Sequence, residues 1–206
     1  SIVNRGTGTV YIGNNNNGHF IGGHLDIIQS STGTSNSIQL ANSSNCFIRV
    51  VGNTTVQNNG SGTNNHIYLG NNGSILFEGS LRLSNIGSST NGAIYLNHGA
   101  TSNNNYADSI ILTSTNGGGI RFGQNGGSGT LAINQKISVG AAGYNSGNLT
   151  FRNFSQLGTN LHHLLLSGTA YLYMRSSSWE ADIDFTAPRV YSWDCTFGGN
   201  LKLTKT

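Results

Sequence analysis

The sequence predicts an all-β fold: a right-handed parallel β-helix (β-solenoid) of about seven turns of 26–31 residues, with three short strands per turn. Three observations predict it. The stretch Asn65-His66-Ile67-Tyr68-Leu69-Gly70-Asn71 is rewritten along the chain, as Val10-Tyr11-Ile12-Gly13-Asn14, Ile38-Gln39-Leu40-Ala41-Asn42, Ile94-Tyr95-Leu96-Asn97, Ile120-Arg121-Phe122-Gly123 and Leu149-Thr150-Phe151-Arg152-Asn153. Its second apolar residue falls at Ile12, Leu40, Leu69, Leu96, Phe122 and Phe151, spaced by 28, 29, 27, 26 and 29 residues. A strand signal returning at one near-constant interval marks a solenoid. Second, another column of short strand-like runs follows at Ile27, Val56, Leu83, Leu112, Val139, Tyr173 and Leu203. Third, a weaker strand signal lies between the two, as in Phe47-Ile48-Arg49-Val50 and Ile75-Leu76-Phe77, with Gly, Asn and Ser at the corners and almost no helix signal.

The triplets divide the chain into turns at 9–35, 36–64, 65–91, 92–117, 118–147, 148–178 and 179–206, with residues 1–8 as the tail of a preceding turn. At ~4.8 Å per coil, seven turns make a rod of about 33 Å. No turn buries its apolar side alone, so each depends on the coils above and below. Residues 1–178 read as regular turns. Residues 179–206, in the same domain, read as an atypical last turn or the start of a C-terminal cap. The last two turns hold both tryptophans, the single Met and Pro, and four of the seven acids.

Composition narrows the function classes. Only 8% of residues are charged, against roughly 25% in ordinary globular chains. The 30 Gly and 29 Asn would suit disorder, but the apolar residues are ordered in apolar-x-apolar triplets, as half-buried strands require. A net charge of +3 with dispersed Lys and Arg argues against a nucleic-acid partner. No run approaches the ~18 apolar residues of a membrane span. Arg5 is followed by Gly6 and Thr7 rather than an apolar signal-peptide core, and the chain opens in mid-pattern. It is therefore expected to be a piece of something longer, flanked by adjoining segments. Cys46 and Cys195 would lie about five coils, or ~24 Å, apart, too far for a disulfide. Both are expected to be free.

Two residues after the triplet marker stand Asn14, Asn42, Asn71 and Asn153, with His98 and Gln124 in the other turns. Asn tolerates the left-handed conformation of a sharp corner, and stacked amides can bond from coil to coil. The column is read as a structural ladder. The middle residue of each triplet points outward, giving Tyr11, Gln39, Tyr68, Tyr95, Arg121 and Thr150. Tyr68 and Tyr95 should be neighbours at ~4.8 Å, with Arg121 next in line for a cation–π contact. Such a row suits sugar rings or a protein partner, and it also suits cross-strand packing on a solvent-facing sheet. If the chain has a ligand-binding face, Tyr11, Tyr68, Tyr95 and Arg121 are its candidates.

Glu180, Asp182 and Asp184 would share an outer face at ~6.7 Å intervals. That matches the ~6.5–9.5 Å of an inverting glycosidase pair, but nothing in the stretch suggests the burial that keeps one carboxyl protonated. Ion pairing with Arg152 and Arg175, or a Ca²⁺ ion, are the other readings. No catalytic residue is assigned and no cofactor is expected. The histidines occupy no common column position, and no Cys-x-x-Cys occurs. Gly117-Gly118-Gly119 is a corner rather than a phosphate loop, since no helix follows it.

The turn pattern resembles the parallel β-helix superfamily over essentially the whole chain. The pectin-degrading branch carries clustered Asp across neighbouring turns, whereas here only Asp26, Glu78 and Asp108 precede residue 180. The Asn-, Gly-, Ser- and Thr-rich, charge-poor turns look more like the long surface adhesins of Gram-negative bacteria, either filamentous-haemagglutinin-type or the type 9-secreted gliding and adhesion proteins of Bacteroidota. That resemblance implies an extracellular, cell-surface location and a non-enzymatic rod touching surfaces, glycans or neighbouring proteins. A polysaccharide-degrading or tailspike-like depolymerase and an ice-binding β-solenoid remain the alternatives.

Overall fold

The computed structural model describes residues 1–115 and 117–206, and among them are 25 strands and no helix. The strands stack in parallel ladders as a β-solenoid of about seven turns. The first sheet takes Ile2–Asn4, Leu25–Gln29, Thr54–Asn58, Leu81–Asn85, Ile110–Ser114 and Ile137–Tyr144. The second takes Thr9–Ile12, Ser37–Leu40, His66–Leu69, Ala93–Leu96, Gly119–Phe122, Asn148–Arg152, Tyr171–Arg175 and Arg189–Trp193. The third runs from Gly18–Ile21 through Phe47–Val50, Ser74–Phe77, Asn103–Tyr106 and Ser128–Leu131 to Thr196–Phe197. In the upper coils, His162–Leu165, Ile183–Ala187 and Leu201–Lys205 form a separate sheet. It packs against Ile137–Tyr144, the last strand of the first sheet, whose register shifts between Leu112 and Ser114.

Alternation decides which side chains fill the interior. In Ser37–Leu40, His66–Leu69 and Ala93–Leu96 the triplet leucines Leu40, Leu69 and Leu96 pair rung on rung, each at 0% exposure. Burying a Leu or Ile side chain contributes ~1.5–3 kcal/mol, so the column is a principal source of cohesion between coils. Higher up, the interior turns aromatic. Tyr106, Phe122, Phe151, Phe154, Trp179 and Phe185 are fully buried and meet at centroid distances of 5.1 to 6.3 Å.

The second sheet's rungs give the coil lengths directly. Its registers carry one position through Ile12, Leu40, Leu69, Leu96, Phe122, Phe151, Met174 and Ser192. As far as Phe151 the steps are those read from the triplets. The steps from Phe151 to Met174 and from Met174 to Ser192 correct the expected division, because the final coils are the shortest and not the longest. Their corners have collapsed: Asn148–Arg152 is followed one residue later by Phe154–Gln156. Tyr173 consequently belongs to the second sheet, opposite Thr150. The rungs expected for it in the second column are held instead by Leu164 and Phe185, below Leu203. Residues 179–206 continue the stack, and Trp179 is buried within it.

The corners also differ in detail from the sequence reading. After five of the six triplet markers the left-handed residue is the next one, Gly13, Ala41, Gly70, Asn97 and Gly123. Asn14, Asn42 and Asn71 follow it and form the expected ladder. Asn42 Nδ2 donates to Asn14 Oδ1, and Asn71 Nδ2 to Asn42 Oδ1, both at 2.6 Å. His98 Nδ1 continues it against Asn71 Oδ1 at 3.0 Å, and Asn125, not Gln124, meets His98 Nε2 at 3.2 Å. Asn153 stands outside this ladder. It is itself left-handed (φ 49°) and donates to the Gly126 carbonyl, because its strand is one residue longer.

A second ladder is internal. Gln29, Asn58, Asn85 and Ser114 occupy one column at the end of the first sheet, all within 1% exposure. Asn58 Nδ2 donates to both Asn85 Oδ1 and the Asn65 carbonyl at 3.0 Å. At another corner Gly23, Gly52 and Gly79 stack so closely that a Cβ on Gly52 would lie 2.6 Å from the Gly23 carbonyl carbon. Cys46, which is buried, and Cys195 are both free thiols, as expected. Among the described residues no helix is long and apolar enough to cross a membrane.

Candidate functional site

The outer face of the second sheet carries the row that the sequence singles out, and the short upper coils lengthen it. Register places Tyr11, Gln39, Tyr68, Tyr95, Arg121, Thr150, Tyr173 and Tyr191 in a single column. The parallel column two residues earlier holds His66, Asn148, Tyr171 and Arg189. Aromatic rings therefore recur on one side of the rod, interrupted at Gln39, Arg121 and Thr150.

The rings form two stacks. Tyr68 and Tyr95 lie 5.0 Å apart with 9° between their planes. His66 meets them edge-on at 5.7 and 5.3 Å, and His98 does so from the other side at 4.9 and 5.2 Å. Offset and edge-to-face contacts of this kind follow from the ring quadrupole. His66 Nδ1 accepts the Ala93 amide at 3.2 Å. Burial, helped by the positive charge of Arg121 and by His98, lowers its pKa to about 4, so the ring is neutral at physiological pH. Burial raises the Tyr68 phenol to about 12, reinforced by Tyr95. Arg121 lies over the Tyr95 ring at 5.6 Å, the cation–π contact expected from the sequence. Tyr11, separated from this stack by Gln39, is 48% exposed.

The second stack is not legible in the triplet spacing. Tyr173 and Tyr191 lie 4.8 Å apart at 7°, and Tyr171 stacks on Tyr173 at 6.2 Å. Trp193 meets Tyr173 edge-on, Arg175 sits over Trp193 at 5.6 Å, and Arg189 over Tyr171 at 4.8 Å. Between the two stacks the column drops to Thr150. Arg121, Gln124, Asn148, Arg152, Tyr173, Arg175 and Trp193 enclose with it a hollow of about 220 Å³.

Glu180, Asp182 and Asp184, weighed for ion pairing or a Ca²⁺ ion, each take a separate partner. Glu180 Oε2 accepts the Gly158 amide, Asp182 Oδ1 accepts the Asn200 amide, and Asp184 pairs with Lys202 and His163. Arg152 and Arg175, the partners expected for these carboxylates, take part in no ion pair among the described residues; Arg152 Nη1 donates instead to the Gln124 carbonyl at 2.7 Å. The reason is coil length: in the shortened upper turns the arginines sit on the second sheet and the acids at the third sheet and beyond. Among the described residues no three His, Cys, Asp or Glu side chains lie close enough to hold a metal ion. In comparisons with protein-family models, curated proteins and solved structures, the chain matches none.

Proposed function

We propose that the chain is a non-enzymatic, structural and adhesive rod segment of a secreted cell-surface protein, and that the outer face of its second sheet touches glycans or neighbouring surface proteins. The observation that carries this reading is the pair of tyrosine stacks, in register along one side of the rod. The corresponding outward column of the third sheet offers no such row, running Phe20, Arg49, Leu76, Asn105, Thr130, Ser155 and Ser178. Rings fixed by cross-rung contacts form a preorganised, partly apolar surface at little entropic cost, which suits contact with a glycan or a protein. The ladder hydrogen bonds that join each coil to the next stiffen the rod, since bending must break them.

A depolymerase would require an acid and a second carboxylate facing a glycan across a groove. The described lining of the hollow contains no carboxylate. An ice-binding surface would require a regular row of short residues, whereas this column mixes Tyr, Gln, Arg and Thr.

A glycan array on the chain and on its Tyr68→Ala/Tyr95→Ala variant tests the reading. Binding that falls at least tenfold in the variant is expected, with no release of reducing ends from any bound glycan. Undiminished binding in the variant, or turnover of the glycan, would remove it.

A further inference from the structure

We propose that the hollow over Thr150 is a subsite for an acidic sugar. Arg121, Arg152 and Arg175 would hold its carboxylate or sulfate, and the rings of Tyr173 and Trp193 its carbon face. The inference rests on the glycan-contact reading above and narrows it to one charge class.

The chain has only ten Lys and Arg in 206 residues, yet three arginines line this one hollow. Where cations elsewhere meet acids they pair, Arg49 with Glu78 and Lys202 with Asp184. Among the described residues none of the three arginines has a carboxylate within ion-pairing distance. Asp194, which follows Trp193 at a left-handed corner, makes no ion pair among the described residues. Three like charges around one concavity repel each other, and an anion between them relieves that repulsion.

Arg121 Nη2 donates to the Gly118 carbonyl and Arg152 Nη1 to the Gln124 carbonyl, and each bond fixes the set of its guanidinium fork. Arg121 Nε is buried without a partner. Arg175 is seated on Trp193. The forks are thus oriented before any ligand arrives, which lowers the entropic cost of binding. A tyrosine at position 150 would continue the ring column and fill the space. Threonine leaves it open.

The hollow, at about 220 Å³, is smaller than the ~300–1,000 Å³ of a drug-sized pocket. It lies between two ring stacks on the same line, so a chain of sugar rings along the rod would place one acidic unit over Thr150. A nucleic acid would call for a basic stripe, whereas here the basic groups are gathered around one depression.

The experiment uses the whole chain and four probes: oligogalacturonate, a heparin oligosaccharide, cellohexaose and an oligothymidylate. Affinities are read by calorimetry and by the emission of Trp193, which is 39% exposed while Trp179 is buried. At least one acidic saccharide is expected to bind more tightly than cellohexaose, and whichever does so identifies carboxylate or sulfate as the group recognised. Arg152→Gln/Arg175→Gln should weaken that binding by about tenfold or more, and raising salt from about 50 to about 500 mM should weaken it further. Thr150→Tyr should abolish it with the melting temperature preserved. Equal affinity for acidic and neutral saccharides, undiminished binding in the arginine variant, or equal affinity for the oligothymidylate would overturn the subsite. Cellohexaose binding that depends on Tyr68 and Tyr95, in a chain that does not prefer the acidic probes, would overturn the subsite alone and leave the broader reading standing.

Discussion

The phenol rings of Tyr68 and Tyr95 lie parallel with centroids 5.0 Å apart, although a whole coil of chain separates them. Only a coil that returns in register can bring them together. Their stacking is a cross-strand pair of the kind worth ~0.5–1.5 kcal/mol beyond burial. A double-mutant cycle with Tyr68→Ala and Tyr95→Ala, followed by urea denaturation, should yield a coupling energy of that size. Simple additivity of the two single variants would mean the rings do not touch in solution.

The two amide ladders should differ sharply in cost. Removing Asn58 takes from the Asn65 carbonyl, at the buried end of the first sheet, the side-chain donor it accepts from. Asn58→Ala is therefore expected to destabilise by ~1–3 kcal/mol, the cost of one unsatisfied buried group. Asn42 sits in the solvent-facing ladder, and Asn42→Ala should cost under ~1 kcal/mol, because water replaces its partners. Comparable losses from both substitutions would contradict the burial assigned to Asn58.

Gly23 and Gly52 occupy the same corner one coil apart. A Cβ at Gly52 meets the Gly23 backbone at 2.6 Å, whereas a Cβ at Gly23 meets nothing within 4 Å. Gly52→Ala should lose ~1–3 kcal/mol through overpacking, while Gly23→Ala should be neutral or slightly stabilising. Thermal melts of the two variants decide it, and equal melting temperatures would contradict the close stacking of these coils.

Much of this arrangement can be read from the sequence. The lower coils announce themselves because each carries an apolar-x-apolar triplet on the second sheet, and the interval hardly varies between Ile12 and Phe151. The Tyr68–Tyr95–Arg121 row follows directly from strand alternation. The upper coils are not legible, because their corners shorten to one or a few residues and a fixed period then mislocates the rungs. Tyr171-Leu172-Tyr173-Met174 does carry the alternation, but Leu172 follows Leu149 several positions sooner than that period allows. The arginine hollow depends on the same shortening, since Arg152 and Arg175 become rung neighbours only because the coil between them is short. Asn58 and Asn85 are hidden for a different reason. In a chain with 29 Asn, nothing distinguishes a buried amide from one at a solvent-facing corner.

Acid should loosen the rod through His162, which is buried, and His66, which is half-buried. His162, at 1% exposure, accepts the Ile137 amide at Nδ1. Its pKa is lowered to about 4, first by burial and then by the positive charge of Lys136; His66 is lowered to about 4 as well, first by burial. A base whose folded pKa lies below its unfolded value of about 6.5 binds protons more readily when unfolded. Stability is thus fully present above about pH 6.5 and declines as the pH falls from there towards about 4. The melting temperature of the wild type should drop across that window, and His162→Gln should drop less. An identical pH profile in the variant would remove His162 from the account.

The coils shorten while staying in register, so that the upper tyrosines and arginines join the lower ones on one face. Ser155 and Ser178 test this most directly, because their hydroxyls lie 3.1 Å apart on adjacent rungs of a shortened coil. Neighbouring rungs are ~4.8 Å apart, within the Cα range that a disulfide spans. In a Cys195→Ser background, Ser155→Cys/Ser178→Cys is expected to cross-link fully on air oxidation, as seen by mass spectrometry without reductant. Ser155→Cys/Thr186→Cys, which a coil as long as the 148–178 division of the triplets would bring together, should remain reduced. A cross-link in the second pair, or none in the first, would contradict the account.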